Sequence, residues 1–511
     1  MTATQLLLGI DIGTSSSKGV LVDARDGELV ASAVREHGTA TPHPGWFEHD
    51  AETVWWADLR ALVAELTPAV AAGGAAGGGP LAGVCVSGIG PCLLPTGADG
   101  TPLRRALLYG VDTRAGEQIA AQTARYGADR VLARCGSPLT SQAVGPKLQW
   151  LREREPETYA LTRRWYTASS WLVHRLTSGL SGGGAYVLDH HSASQCVPLY
   201  DLRAHAWIED WCEETAPGLE WPELVWPAQV VGEVTGSAAR SSGIPAGTPV
   251  VAGTVDAWAE STAAGATGVG DLMLMYGTTM FLVDVVGEPV PDARLWSTVG
   301  AFEDTYCLAG GMATSGAVTG WLRDLTGTGF GTLTQEAGAL PPGAEGLLML
   351  PYFAGERTPL FDPDARGVVA GLTLRHGRGH LYRAALEATA FGVRHNLDAM
   401  REAGGDLRRL VAVGGGAREL WTQIVSDVTG LEQAVPRHTV GAAHGDALLA
   451  AVGTGLASRD DIAGWNPVES TVTPDPDRGR IYDTLYEHYL ALYPATRDTA
   501  HALAARQHAD G

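Results

Sequence analysis

Two stretches far apart in the chain share one pattern, and that pattern limits what the chain can fold into. Residues 6–23 read LLLGIDIGTSSSKGVLVD, and residues 271–286 read DLMLMYGTTMFLVDVV. Each is an apolar run, a Gly-Thr tip with further hydroxyl residues, and a second apolar run. Short apolar runs bounded by turn residues predict buried strands, so each stretch predicts a hairpin. Gly13-Thr14 matches Gly277-Thr278, while Met275 stands where Asp11 would. Two short motifs can coincide by chance. Read as a duplication, they predict two similar α/β domains facing one cleft, with one acid and two polar tips. The length of 511 residues separately asks for two or three domains.

Around the first hairpin the pattern predicts strands at Leu6–Ile12, Gly19–Asp23 and Leu29–Arg35. Asp50 then caps a helix carrying Val54, Leu59, Val63 and Leu66, and Leu81–Ser87 returns as a buried strand. AAGGAAGGG (71–79) and SGLSGGG (178–184) read as loops, with helices dominating about 115–180 between them. A second unit starts at TPVVAGTVDAWAE (248–260). Further on, His380–Met400 predicts a long helix stopped by Gly404-Gly405, and residues 409–430 predict strand, glycine turn and helix. A last helix is expected over about 482–505. The resulting division is 1–246, 247–457 and a helical tail, 458–511, that packs on the body.

A net charge of −21 argues against nucleic acid or an anionic membrane as partner. The six cysteines (85, 92, 135, 196, 212 and 307) show no C-x-x-C spacing. They read as reduced residues of a cytoplasmic protein. No signal-peptide pattern opens the chain, and no apolar run is long enough to span a bilayer. Lys18 and Lys147 are the only lysines among 36 basic residues. Where arginine serves nearly everywhere else, a retained lysine suggests a need for a compact ammonium, although chance survival leaves the same pattern.

The residues at the first tip suit a polyphosphate. Small side chains let backbone N–H groups approach closely, and Thr and Ser hydroxyls add donors. Asp11 can hold a hydrated Mg2+ that bridges phosphate oxygens. A plain β-turn satisfies the same pattern, and the G-x-x-x-x-G-K-[ST] loop is absent. Asp256 stands at a strand-to-helix corner, where it either orients and deprotonates an attacking hydroxyl or caps a helix. VGGGAREL (413–420) is a glycine turn opening a helix, suited to a nucleotide base or a phosphate. Trp46, in the polar run HPGWFEHD, is a candidate for sugar stacking, and the adjacent histidines of DHH (189–191) read as structural.

Taken together, these segments resemble the FGGY carbohydrate kinases, and the likeness covers nearly the whole chain. GIDIGTSSSKGVLVD is similar to the family's first phosphate motif, and GPKLQWL (145–151) to its first signature. GVVAGLTLRHGRGHLYRAALE (367–387) fits the second signature, with Gly367, Gly371, His380, Ala384 and Glu387 at the expected spacings. LPYFAGERTP (350–359) is similar to the loop that xylulokinases carry before it, and VVAGTVDAWAE to the catalytic segment. The resemblance implies a two-domain, actin-like (ribonuclease-H-like) ATPase fold that closes over ATP-Mg2+ and a small sugar or polyol. It implies Asp256 as general base and Asp11 as the residue that places Mg2+. Gly13, Thr14, Ser15 and Lys18 are then expected to approach phosphates from one side and Gly277, Thr278 and Thr279 from the other. Gly414, Gly415, Gly416 and Ala417 are expected near adenosine. A homodimer is consistent with the family.

The expected sugar pocket departs from the family pattern. Xylulokinases usually carry Met-His-Gly, and glycerol kinases Arg-Glu, where this chain has Ile89-Gly90-Pro91. The segment YGVDTR keeps Asp112 and Arg114 as hydroxyl-binding candidates. Ala257 follows the catalytic acid, and Asp446 stands where members usually have a small residue. Fewer polar contacts on one wall change specificity. The resemblance implies a kinase for a ketopentose such as D-xylulose, while the changed wall argues for the alternatives of another pentulose, a tetrulose or a polyol. A non-catalytic sugar sensor on the same fold is the alternative of another class. Retention of both Asp11 and Asp256 argues against it.

Overall fold

The computed structural model describes residues 5–71, 81–179, 183–416, 419–438 and 441–510. Residues 72–80 and 180–182, within or beside the two expected loops, and Ala417 lie outside the described residues. The strands used below are β1 (Leu6–Ile12), β2 (Ser16–Asp23), β3 (Leu29–Glu36), β4 (Leu81–Gly88), β5 (Val230–Glu233), β6 (Pro249–Val251), β7 (Asp271–Tyr276), β8 (Met280–Val286), β9 (Tyr306–Met312), β10 (Arg409–Val413), β11 (Gln433–Pro436) and β12 (Val468–Val472). The helices are α1 (Ala57–Ala71), α2 (Val144–Arg154), α3 (Asp256–Ala263), α4 (Gly316–Thr326), α5 (Arg378–Ala403), α6 (Glu419–Thr429), α7 (Ala442–Gly453) and α8 (Pro476–Asp510).

Two compact units interleave along the chain. One comprises Met1–Thr267, Gly287–Cys307 and Val440–Pro467, the other Gly268–Val286, Leu308–Thr439 and Val468–Gly511. In the first, the sheet runs β5-β6-β4-β1-β2-β3. β1, β2 and β3 are antiparallel neighbours, β4 lies parallel to β1, and β6 parallel to β4. All seven residues of β1 are buried. A strand covered on both faces reads as a continuous apolar run, which is why LLLGI shows no alternation. On one face α1 brings Leu62 and Leu66 against Gly19. It follows a π-helical turn (Ala51–Trp56) capped by Asp50, whose carboxylate accepts the Glu52 and Thr53 N–H groups.

On the other face lies α7. A Cβ on Gly9 would overlap the Ala443 carbonyl oxygen, and one on Gly445 would overlap the Ala259 carbonyl oxygen of α3. Two glycines thus let α7 seat directly on β1 and α3. This packing corrects the boundaries expected at 246/247 and 457/458. Residues 247–267 and 441–457 join the first unit, because β6 extends its sheet and α7 covers it.

In the second unit the strands are hydrogen-bonded in the order β9-β8-β7-β10-β11-β12. β7 and β8 form an antiparallel hairpin, β10 lies parallel to β7, and β11 parallel to β10. The order β8-β7-β10-β11 repeats β2-β1-β4-β6, so both units are mixed α/β sheets of the same design. The tail is not wholly helical, since β12 adds an antiparallel edge to β11 before α8 begins. α8 is held on this unit at Glu387 of α5, whose Oε1 accepts from Arg383 Nε (2.7 Å), Tyr482 OH (2.9 Å) and Gly343 N (2.9 Å).

Candidate active site

In the first unit the site is built where β1 ends. The residues after it form a tight turn, with Gly13 N–H donating to Ser16 O at 3.0 Å. A Cβ on Gly13 would sit 2.6 Å from that oxygen, so the turn needs glycine. His37 braces it, bonding Gly13 O through Nε2 (3.1 Å) and Asp58 Oδ2 through Nδ1 (2.7 Å). Ser17 Oγ also donates to Asp58 Oδ2, so this hydroxyl serves the scaffold. Thr14 Oγ1 lies 3.2 Å from Tyr109 OH, and Ser15 is exposed at the tip.

Asp11 sits on β1 opposite Lys18 of β2 and Ser87 of β4. Burial raises its carboxyl to about 6, against the opposing pull of Lys18, Ser87 and His37. Its Oδ1 is buried with no hydrogen-bond partner among the described residues. An orphaned carboxylate oxygen of this kind suits a hard cation that keeps most of its waters, so Asp11 fits Mg2+. No cluster of three or more metal-type side chains occurs among the described residues. Magnesium bound mainly through nucleotide phosphates needs none.

Asp256 is the first residue of α3, while the N-cap is Val255, which makes no side-chain cap bond. The capping alternative therefore does not describe it. Asp256 Oδ1 accepts the Ala257 N–H at 2.7 Å. Burial pushes this carboxyl up to about 8, with the charge of Asp11 adding to it and, more weakly, that of Glu260. Glu260, one helical turn on, is itself raised to about 7 by burial and then by Asp11. Lys18 opposes the upward shift of all three acids. In this structure it is the counter-cation of an acidic group.

Beside Asp256, Ile89 N–H donates to Ile12 O at 2.8 Å, and a Cβ on Gly90 would meet Val255 Cγ2 at 2.6 Å. Ile89 and Gly90 thus lie beside the end of β1 and the start of α3 and bring no polar side chain there. Lys147 is buried under Tyr109, donating to Tyr109 O (3.2 Å) and Ser141 O (2.5 Å), and burial lowers it to about 8.

Asp112, Arg114 and Trp46 come together, but on one another. The Arg114 guanidinium donates to both Asp112 oxygens and to Glu48 Oε1, and Asp112 Oδ2 also accepts the Phe47 N–H. Both side chains are 0 % exposed. The guanidinium lies 4.1 Å from the Trp46 ring centroid and 5.0 Å from that of Trp150. Asp112 and Arg114, the hydroxyl-binding candidates, and Trp46, the candidate for sugar stacking, are thus brought together by the fold. Asp112 and Arg114 form a buried ion pair capped by indoles. The DHH segment is structural as expected. Asp189 caps a short helix through Ser192 N–H, and the His191 ring stacks on Trp258 at 3.7 Å.

The second unit carries its own pocket, a cavity of about 350 Å³ that Gly277, Thr278, Gly415 and Gly416 help to line. Gly277-Thr278-Thr279 is the tip of the β7–β8 hairpin. The start of α4 rests on it, with Gly316 N–H donating to Gly277 O at 3.0 Å and Ala317 N–H to Thr278 O at 3.0 Å. A Cβ on Gly316 would lie 2.5 Å from Gly277 O. Gly414 adopts φ +93°, and a Cβ there would be 2.5 Å from Tyr276 O. Gly415 opens on free space. Phe330, Tyr382 and Trp421 add aromatic surface. The sequence reading missed these three and Gly316. It also missed Glu260, which the i,i+4 spacing from Asp256 could have flagged.

The N-terminal domain of the FGGY family of carbohydrate kinases matches residues 6–263, and its C-terminal domain matches residues 272–454. The chain is 32% identical over 528 residues to glycerol kinase 2 of Streptomyces coelicolor, covering 97% of this chain and 98% of that one. It is 29% identical over 524 residues to the glycerol kinase of Corynebacterium efficiens, covering 96% and 99%. The crystal structure of xylulose kinase from Rhodospirillum rubrum superposes with a TM-score of 0.88 at 32% identity, covering 97% of this chain and 100% of that one.

Proposed function

Because the chain belongs to the FGGY family of carbohydrate kinases, a family of ATP-dependent phosphotransferases, we propose that it transfers the γ-phosphate of ATP to a hydroxyl of a small ketose, with a ketopentose such as D-xylulose as first candidate. The observation that carries this reading is Asp256. It is a half-buried carboxyl with one oxygen held by the Ala257 N–H, beside a second acid with an orphaned oxygen. Asp256 orients the acceptor hydroxyl and takes its proton. A carboxyl raised to about 8 holds that proton readily near neutrality. Phosphoryl transfer passes through a loose transition state, so this placement contributes more than base strength does. Asp11 Oδ1 would hold Mg2+, which would supply charge to offset that of the phosphates. The Gly13–Ser15 turn and Lys18 take phosphate oxygens on the first unit. The Gly277–Thr279 tip does so on the second, and Gly414–Gly416 lie along adenosine.

Similarity to the Rhodospirillum xylulose kinase supports the ketopentose. Similarity to glycerol kinases supports a second reading, a glycerol-sized polyol. The six cysteines are buried thiols outside any disulfide, which supports a reducing, cytoplasmic setting. Among the described residues no helix is long and apolar enough to cross a membrane.

The test is acceptor-dependent ADP release with ATP and Mg2+, run across ketopentoses, tetruloses, glycerol and pentitols. One acceptor is expected to raise the rate above the acceptor-free rate. Asp256→Ala is expected to lower that rate by about 10²-fold or more. Tight sugar binding with no release from any acceptor would instead indicate a sensor.

A further inference from the structure

The Gly13–Ser15 turn is held from behind by side chains that the proposed chemistry does not use. Each of its three carbonyls has a partner just past the end of β3. Gly13 O faces His37 Nε2 (3.1 Å), Thr14 O accepts from Thr39 Oγ1 (2.9 Å), and Ser15 O accepts from the His37 N–H (3.0 Å). The peptide bonds of the turn are trans. In a trans peptide the C=O and the following N–H point in opposite directions. Carbonyls turned toward His37 and Thr39 thus turn the Thr14 and Ser15 N–H groups the other way. Neither N–H makes a hydrogen bond among the described residues. Successive outward N–H groups in a turn form an anion-binding nest.

Proton counting fixes the form of each support. His37 Nδ1 lies 2.7 Å from Asp58 Oδ2, which also accepts from Ser17 Oγ at 2.7 Å. An ionised Asp58 only accepts, and so does Gly13 O, so both His37 ring nitrogens carry protons and the ring is a cation. His49 is the complementary case. Trp55 Nε1–H donates to His49 Nδ1 (3.1 Å), which places the His49 proton on Nε2, facing Thr39 Oγ1 at 3.1 Å. Thr39 accepts there and keeps its own proton for Thr14 O. Burial, and then the charge of His37, holds His49 down to about 4, in the neutral form that this chain of bonds requires. The two rings meet edge to face with centroids 5.1 Å apart. Both are packed away, with His49 1 % exposed and the His37 side chain 7 %.

We propose that His37 and His49 are positioning residues for the Gly13–Ser15 turn. Acting on its carbonyls directly and through Thr39, they hold the Thr14 and Ser15 N–H groups outward, set for a nucleotide phosphate before one arrives. The His37 cation adds charge of the right sign behind the turn. This rests on the reading of that turn as a phosphate site. Groups already fixed in the binding geometry cost no ordering when the ligand binds.

The test uses the full chain and two probes, adenosine and the non-hydrolysable analogue AMP-PNP with Mg2+, titrated by calorimetry. Thr39→Val removes the hydroxyl at nearly constant shape and is expected to weaken AMP-PNP about tenfold. Adenosine, placed on the second unit by the proposed function, should stay within about twofold. Thr39→Ser keeps the hydroxyl and is expected to stay within about threefold of wild type for both probes. His37→Ala should lose at least as much AMP-PNP affinity as Thr39→Val. In nuclear magnetic resonance of wild type with nitrogen-labelled histidine, His37 should show two ring N–H signals and His49 one. If His37→Ala does not fold, the contrast between Thr39→Val and Thr39→Ser carries the test. Unchanged AMP-PNP affinity in Thr39→Val or in folded His37→Ala overturns the proposal. So does an equal loss for adenosine, a Ser variant as weak as the Val variant, or a single ring N–H from His37. Wild type that binds AMP-PNP no more tightly than adenosine would overturn the phosphate reading of the turn and this proposal with it. Wild type that prefers AMP-PNP but phosphorylates no acceptor would overturn the kinase reading alone.

Discussion

Asp284 offers a stability experiment that is independent of the active site. It lies in β8 at 0 % exposure, and among the described residues neither of its oxygens has a hydrogen-bond partner. Its Oδ2 lies where a Cβ on Gly405 would come within 2.6 Å, just past the C-terminus of α5. Burial raises this carboxyl from 3.8 to about 8, helped by Asp406 and Asp271. A helix C-terminus carries partial negative charge, which also disfavours the anion.

The sign follows from proton counts. The folded chain keeps the Asp284 proton that the unfolded chain loses above pH 4, so stability falls as pH rises until the folded group also ionises near 8. At about 1.4 kcal/mol per pH unit, that window corresponds to a ceiling of roughly 5–6 kcal/mol. Relaxation and water entry reduce it to several kcal/mol. Asp284→Asn removes the titration while keeping shape and an unpartnered polar group. Its thermal midpoint should exceed wild type by only about 2–4 °C at pH 5 and by about 5–15 °C at pH 8.5, at roughly 2–4 °C per kcal/mol for a unit of this size. The midpoint difference isolates Asp284, because Asp11, Asp256 and Glu260 titrate in both proteins. Hydrogen exchange of peptides spanning β7 and β8 should show the same crossover in protection. A midpoint difference that does not change between pH 5 and 8.5 would refute the reasoning.

Two further outcomes are expected. With an acceptor identified, kcat/KM should rise with pH toward the value of about 8 set by Asp256, because the base must lose its proton first. The limb for kcat should lie lower, since a cation at Asp11 cancels the charge that raises Asp256; coincident limbs would mean the two acids do not interact. Gly9→Ala places a methyl group into the Ala443 carbonyl and should destabilise the first unit by about 3 kcal/mol or more, read as a lower urea midpoint. An unchanged midpoint would show that α7 can move off β1 at little cost.

Both hairpins were legible in the sequence because buried strands write continuous apolar runs and tight tips require Gly-Thr. Asp256 was legible as the polar end of one such run. Its company was not. Glu260 looks like an ordinary helix surface residue until α3 is seen to point it at Asp11 and Lys18. Asp112 and Arg114 were assigned to the pocket because YGVDTR resembles a family segment, which says nothing of what else those side chains meet. Glu48 and the indoles of Trp46 and Trp150, which take up that pair, come from elsewhere in the chain. The unit boundaries were misread for a related reason. No local pattern says that a helix at 442–453 covers strands at 6–12 and 81–88. That information lies in Gly9 and Gly445, whose missing side chains are contact sites rather than turns.

The interleaved units also bear on how the chain is made. Residues up to Thr267 leave the ribosome with β1 and β4 lacking their cover, because α7 and the rest of the segment ending at Pro467 are made roughly 200 residues later. At about 5–20 residues per second, that is a wait of roughly 10–40 seconds with an apolar sheet face open. The second unit has its first hairpin early and its last strand and helix after the first unit is complete. Neither unit can be released as one continuous fragment by a single cut. A nascent chain of this design therefore depends on chaperones for longer than its size alone would suggest, and truncation anywhere before residue 467 leaves both halves unfinished.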